Sequence, residues 1–265
     1  MDFLSILGSF AVVAFIIFVV LALAVIFLDG FIRPNGSNYK NKYDEYIRSE
    51  YYKITDIPYN EMIRDRGRYG EYLIYESLNL LQGGTKKFLF NVYLPFHNGS
   101  MTEIDIIFIH SSGVYVIESK NYSGWIFGNE SQRNWTECIK AGREVQKYRF
   151  YNPIMQNTVH IELLQNYLSD FTGIPFFSCI VFGDKCELKK ITYTSHKHNV
   201  LKRQFLYDEM VRNINNVGNV LSDETICKIY DRLYPYSKVS DEIKKSHIDR
   251  IKYNKEMNSF NGNYH

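Results

Sequence analysis

Hydrophobic patterning sets the start of the chain apart. From Phe3 to Leu28 the only positions outside the hydrophobic class are Ser5, Gly8 and Ser9, and none is charged. A buried helix of a soluble protein is rarely apolar on every face for this long. As a helix this run would span roughly 39 Å, more than the ~30 Å hydrocarbon core of a bilayer, which predicts one tilted transmembrane helix over residues 3–28. A secretory leader is the rival reading. Such a leader has a basic start, an apolar core of about 7–15 residues and a small-residue cleavage site. Here Asp2 is the only charged side chain ahead of the run, and no such site closes it. No Lys or Arg precedes the run, whereas Arg33, Lys40, Lys42 and Arg48 follow it. That asymmetry predicts a single-pass protein of the cell membrane whose C-terminal body is cytoplasmic.

The rest of the pattern predicts an α/β fold. Residues 1–29 read as the anchor and residues 30–60 as a juxtamembrane linker, partly helical in its later half. Residues 61–190 read as the main folded domain and 191–265 as a mainly helical C-terminal segment. Tyr69, Leu73, Tyr75, Leu78 and Leu81 approximate helical spacing, and Gln82-Gly83-Gly84 stops that helix. Three strand-like runs follow, Lys87–Leu94, Met101–His110 and Val114–Lys120, separated by turn-forming residues. Gly128-Asn129 within Trp125–Ile139 predicts a further hairpin. Asn152-Pro153 opens a helix to about Leu168, and the apolar run Pro175–Gly183 has the length of a buried strand. From about Val200 to Ile251 the pattern is helical, with Ser222-Asp223-Glu224 as an N-cap signal.

Composition narrows the class. With 265 residues, 22 Tyr and 18 Phe the chain can bury a substantial core, which excludes intrinsic disorder. Sixteen Gly and four Cys exclude collagenous and disulfide-scaffold classes. Cys138, Cys179, Cys186 and Cys227 lack the close pairs of a zinc site and read as free, mostly buried thiols. The first 29 residues carry two acids and no base, so the remainder carries +4. That permits an anionic partner without demanding one.

One stretch carries candidate chemistry. Asp105 lies in the second strand, and Glu118 and Lys120 lie two apart on one face of the third. The short Ser111-Ser112-Gly113 turn implies antiparallel pairing, which can gather two acids and a lysine at one end of the hairpin. Two carboxylates offer a hard-oxygen site of the kind Mg²⁺ prefers, with Lys120 beside it. A surface ion pair on a strand end accounts for the same three residues.

These residues stand in a longer array. Gly67-Arg68-Tyr69-Gly70-Glu71, Thr102-Glu103-Ile104-Asp105, Gly113 through Glu118-Ser119-Lys120, Gly124-Trp125, and Asn152-Pro153 with Gln156-Asn157 and His160 occur in that order. The array resembles the nuclease-related domain (NERD) family of the PD-(D/E)xK nuclease superfamily and covers about residues 65–185. The resemblance implies a restriction-endonuclease-like αβββαβ core within 61–190. It implies a membrane-anchored, metal-dependent nuclease that hydrolyses phosphodiester bonds, with DNA the first substrate to test and Mg (or Mn) as cofactor. Asp105 and Glu118 would be the metal ligands, and Lys120 the catalytic base or transition-state stabiliser. Glu71 would be an accessory acid for a second metal or a water, and Gln156 the polar brace on the later helix. Ile104 stands where the superfamily's name has proline.

Each assignment has an alternative. Glu71 is otherwise an exposed first-turn acid. His160 shares a helix face with Gln156 and suits a structural role. Glu103 reads as a solvated or hydrogen-bonded strand-end acid, and Trp125 and Trp135 as hairpin packing. Lys140, Arg143, Lys147 and Arg149 would serve as a nucleic-acid stripe or as a solvated face. At the level of function, the alternative is a nuclease fold that binds without turnover, as a scaffold or as a sensor whose residues 200–265 engage a protein partner.

Overall fold

The computed structural model of the protein describes residues 36–96, 98–195 and 197–261, with side chains described from 40 to 253. The anchor read over residues 3–28 lies outside them. Among the described residues no helix is long and apolar enough to cross a membrane. The chain divides at Ser49/Glu50 into two compact units. The first contains α1 (Gly36–Arg48). The second opens with α2 (Glu50–Thr55), α3 (Tyr59–Arg64) and α4 (Arg66–Asn79). The described part of the stretch read as a linker is thus largely helical, and Tyr51 within it is buried against Phe90, ring centroids 4.7 Å apart.

A five-stranded mixed sheet forms the centre, in the order β1 (Lys86–Pro95), β2 (Met101–His110), β3 (Gly113–Lys120), β7 (Phe176–Phe182), β9 (His198–Lys202). β1, β2 and β3 are an antiparallel meander, as the short turns predict, and β3, β7 and β9 run parallel. Between β3 and β7 the chain makes β4 (Trp125–Asn129), β5 (Asn134–Ala141), β6 (Glu144–Tyr151) and α5 (Pro153–Tyr167). β4, β5 and β6 join β8 (Glu187–Thr192) in a second, four-stranded sheet of order β6-β5-β4-β8. After β9 come α6 (Leu206–Val217), α7 (Asp223–Leu233) and α8 (Asp241–Asn261). Ser222 caps α7 by accepting from the Thr225 N–H at 3.2 Å, as its position before two acids suggests.

Two corrections to the sequence pattern follow. Residues 198–202, read as helical from Val200 onward, form the edge strand β9, because β7 offers them a parallel ladder from Ser178↔His198 to Phe182↔Lys202. β6 carries no apolar alternation, because nearly all of it faces water.

The central sheet is buried on both sides. On one side Leu89, Ile107 and Val116 pack with Leu163 and Leu164 of α5 and with Ile226, Ile229 and Leu233 of α7. Each such side chain removed from water contributes about 1.5–3 kcal/mol, which fixes both helices on the sheet. On the other side Phe88, Phe90 and Phe108 stack with Tyr51 and Tyr75. All four cysteines are free, with Cys138, Cys179 and Cys186 buried and Cys227 exposed.

Candidate active site

The β1–β2 ladder turns over at one point. Leu89 and Val92 lie in one apolar cluster, as do Ile104 and Ile107, spacings that a two-residue alternation forbids. Ladder partners skip from Phe90↔Ile106 to Val92↔Ile104. The residues at the crossing are Asn91, with φ +50°, and Asp105. Left-handed backbone at a non-glycine inside a strand costs about 1–3 kcal/mol and clusters at functional sites.

Four elements converge there. From β2, Asp105 accepts the Ser119 N–H at 2.8 Å through Oδ2, which ties it to the end of β3. From β3, Glu118 is 1% exposed, and its Oε1 lies 2.5 Å from the Lys120 Nζ. From α5, the Gln156 Oε1 lies 3.4 Å from the same Nζ. From α4, Glu71 is buried and accepts from the Tyr51 hydroxyl and the Asn91 amide, each at 3.3 Å, through Oε2. Glu71 is therefore not an exposed first-turn acid, and Glu118 with Lys120 is not a surface ion pair. α4 reaches this depth because of Gly70: a Cβ there would stand 2.9 Å from the Asn121 Cβ and 3.2 Å from the Ser119 Oγ. Asn121 also exchanges two hydrogen bonds with Arg66, at 2.7 and 2.8 Å, clamping the start of α4 to the exit of β3.

The electrostatics are those of crowded buried acids. Burial, then Glu118, raises the Asp105 carboxyl to about 7. Burial, then Asp105 and Glu103, raises Glu71 well above the usual range. Glu118 is also raised by burial, against the pull of Lys120. Burial alone would lower Lys120, but Glu118 and Asp105 outweigh it and raise the ammonium. Lys120 therefore stands in this arrangement as a cation, which suits charge stabilisation better than proton abstraction.

His160 lies on the same face of α5 as Gln156. Its Nε2 is 3.1 Å from the Thr102 Oγ1, and its Nδ1 is 3.6 Å from the Glu118 Oε2. Burial, then Lys120, lowers its imidazole to about 3, so it is neutral. Among the described residues, the buried Glu118 Oε2 and His160 Nδ1 have no hydrogen-bond partner.

The donor set fits a hard divalent cation in kind: clustered buried carboxylates that repel one another, and one orphaned carboxylate oxygen. Among the described residues, no three or more His, Cys, Asp or Glu side chains are arranged to enclose a metal ion. The fit is that of a site with one or two protein carboxylates and waters, which is how Mg²⁺ is commonly held.

Asn91, His247 and Arg250 were not legible in the sequence pattern, whereas Thr102 stood in the ordered array. Asn91 bridges Glu71 and Glu103 through its Nδ2, the latter at 3.2 Å from Oε1; its signal is a lone amide among aromatic and branched strand residues. Thr102 positions His160. His247 of α8 stands with its Nε2 3.7 Å from the Glu103 Oε2, and Arg250 donates to the Met101 carbonyl. The C-terminal segment thus walls the site on the Glu103 side, where a cavity of about 250 Å³ lies between Met101 and α8.

A family model described as nuclease-related domain matches residues 66–183. An uncharacterized protein of Bacillus anthracis is 30% identical over 198 residues, which are 72% of this chain and 89% of that protein. No solved structure matches the chain. The matched span runs from the first residue of α4 to just past β7 and contains Glu71, Asp105, Glu118, Lys120 and Gln156, so the chain belongs to the nuclease-related domain family.

Proposed function

We propose that the protein is a metal-dependent nuclease with a restriction-endonuclease-like core, tethered to the cytoplasmic face of the cell membrane by residues 3–28. The observation that carries this reading is the convergence of Asp105, Glu118 and Lys120 with Glu71 and Gln156 at one buried point. Asp105 and Glu118 would hold Mg²⁺ (or Mn²⁺), with Glu71 close enough to Asp105 to serve a second ion or a water. Such an ion lowers the pKa of a bound water and neutralises charge on a phosphate. Lys120, kept cationic by Glu118, would stabilise negative charge developing on the phosphorane. Gln156 would hold the Lys120 Nζ in place, and neutral His160 would stand beside Glu118 without adding a competing charge. DNA is the substrate to test first. A protein partner for the C-terminal segment would have to meet α8 on its side away from Glu103.

The second reading is a nuclease fold that binds without turnover. It is favoured by the lack, among the described residues, of a closed three-ligand metal cage.

One assay separates the two. The full chain in neutral detergent micelles is incubated with linear, circular and single-stranded DNA and with RNA, in Mg²⁺ or Mn²⁺, beside Asp105→Ala and Lys120→Ala. Cleavage by wild type that both variants lose is the expected result. Binding without cleavage would put the scaffold reading first. The anchor has its own test: a cysteine placed before Phe3 is expected to be labelled from outside intact cells, and one near His265 is not. The reverse pattern would overturn the topology.

A further inference from the structure

The second sheet has two faces of opposite chemistry. Ile126, Trp135, Phe150, Leu188 and Ile191 point inward and pack on Ile154, Ile180 and Phe182. Glu137 lies on that inner side as well, its Oε1 accepting from the Ser123 and Gly124 N–H groups at 3.0 and 2.9 Å. The alternate positions form the outer face.

The outer face is read from the ladders in two rows. One row runs Lys147↔Cys138↔Trp125↔Glu187, and the next runs Arg149↔Thr136↔Phe127↔Lys190. Lys140, paired with Val145, and Tyr151, paired with Asn134, extend the face at its two ends. Glu187 is the one acid in these rows, and it is tied to Lys189 at 2.5 Å. Among the described residues Lys140, Lys147, Arg149 and Lys190 form no ion pair, and all four are exposed. Two exposed aromatics stand among them, Trp125 at 41% and Tyr151 at 45% exposure, with Phe127 half-buried in the second row. Trp135 is the packing residue the sequence suggested, fully buried; Trp125 is not, and the Lys189 ammonium lies 5.4 Å from its ring centroid.

The second sheet begins just past the strand that carries Glu118 and Lys120. Four residues separate Lys120 from Trp125, and among them Tyr122 packs on Phe150 with ring centroids 4.6 Å apart.

We propose that the outer face of the second sheet is a binding platform for single-stranded nucleic acid, with Lys147 and Arg149 taking phosphates and Trp125 and Tyr151 stacking on bases. The inference rests on the nuclease reading of the neighbouring site and names its substrate class. Cations interleaved with exposed rings are what an unpaired strand needs, since every base has a face to stack and every phosphate a charge to neutralise. A duplex keeps its base faces to itself and would leave Trp125 and Tyr151 unused. An anionic lipid surface would satisfy the charges, but the apolar side chains here, Trp125 with the half-buried Phe127 and buried Cys138, form a small group rimmed by charge and not a broad surface to insert.

The test uses the full chain in neutral detergent micelles, in EDTA so that binding is read without cleavage. Fluorescence anisotropy follows a labelled oligothymidylate and a duplex of equal length across a salt series. Wild type is expected to bind the single strand more tightly than the duplex. Lys147→Glu/Arg149→Glu is expected to weaken it about ten-fold or more and to reduce the log–log salt slope by about 1.4, two phosphates at ~0.7 each. Trp125→Ala is expected to weaken binding about ten-fold with the salt slope unchanged. The neutral pair Lys147→Gln/Arg149→Gln repeats the charge test, with circular dichroism confirming the fold of each variant.

Variants that bind as wild type does, or a duplex bound as tightly as the single strand, would overturn the proposal. So would an absence of oligomer binding together with a tryptophan fluorescence shift on adding phosphatidylserine to the micelles that Trp125→Ala removes; the face would then dock lipid. Cleavage of the same oligomer in Mg²⁺ keeps the two readings apart. Wild-type cleavage with variant binding unchanged sinks the platform and leaves the nuclease. Binding that the variants lose, with no cleavage by wild type, sinks the nuclease and leaves the platform.

Discussion

The side-chain amide of Asn91 lies 3.3 Å from the Glu71 Oε2 and 3.2 Å from the Glu103 Oε1, donating from one nitrogen toward two acids of the same site. It does so from left-handed backbone, φ +50°, at the point where the β1–β2 ladder turns over beside Asp105. Helix α4 and strand β2 are otherwise pushed apart here by like charge. A donor at this position offsets that repulsion and sets where Glu71 sits.

Conformation and hydrogen bonding at Asn91 can be separated by substitution. Asn91→Gly adopts a positive φ without strain but lacks the amide. It is expected to change stability by about 1 kcal/mol or less and to lower cleavage about ten-fold, the equivalent of one hydrogen bond to a charged group. Asn91→Val keeps neither feature and is expected to lose about 1–3 kcal/mol of stability in urea denaturation. Full activity in Asn91→Gly would show that the amide does not position Glu71.

Asp105 makes a prediction about pH. Burial and Glu118 raise its folded-state pKa to about 7, above the ~3.9 of an unfolded aspartate. The folded chain then binds the proton more tightly than the unfolded one. This contribution to stability is complete below about pH 4 and is lost as pH rises through about 7. Metal-free wild type is expected to lose stability over that window, and Asp105→Asn is expected to flatten the loss while abolishing cleavage. Added Mg²⁺ should raise the melting temperature of wild type and not of the variant. Thermal denaturation across pH, with and without Mg²⁺, reads both effects. Parallel pH profiles for the two proteins would mean that Asp105 is not held in a crowded acidic site.

How much of this was legible depends on which residues face the core. β1, β2, β3, α4 and α5 each bury an apolar face and are bounded by glycine- or asparagine-rich turns, so period and punctuation located them. β6 buries little besides Phe150, and β9 is five residues long and defined by its ladder to β7. Neither carries a period of its own. Asp105, Glu118 and Lys120 were legible because strand alternation and a short turn bring them to one end of a hairpin. Asn91 and His247 were not, since the one depends on a broken ladder and the other on where α8 lands. The exposure of Trp125 was hidden for a similar reason. Trp125 and Trp135 sit in adjacent strands, and only the register puts them on opposite faces.

Gly70 controls the depth of α4. A side chain there meets Asn121 and Ser119 at the exit of β3. Gly70→Leu is expected to cost about 1–3 kcal/mol through overpacking and to move Glu71 away from Asn91, so stability and cleavage should fall together. An active Gly70→Leu would show that Glu71 is dispensable for the reaction, and Glu71→Gln would then be expected to be active too.

The Glu118–Lys120 pair can be tested by a double-mutant cycle without any substrate. The two groups are 2.5 Å apart with Glu118 fully enclosed, and the Lys120 side chain retains 18% exposure. Lys120→Met leaves a buried carboxylate, which must take a proton or lie uncompensated, and Glu118→Met leaves a mostly buried ammonium. Each single change is expected to cost about 2–4 kcal/mol, towards the lower end of what breaking a buried pair costs because Lys120 is not wholly enclosed. The double variant removes both charges and is expected to lose clearly less than the two singles together, a coupling of about 1–3 kcal/mol. Urea denaturation in EDTA measures all four corners. Strict additivity would mean that the pair does not form in solution, and the assignment of Lys120 as a cation held by Glu118 would fall with it.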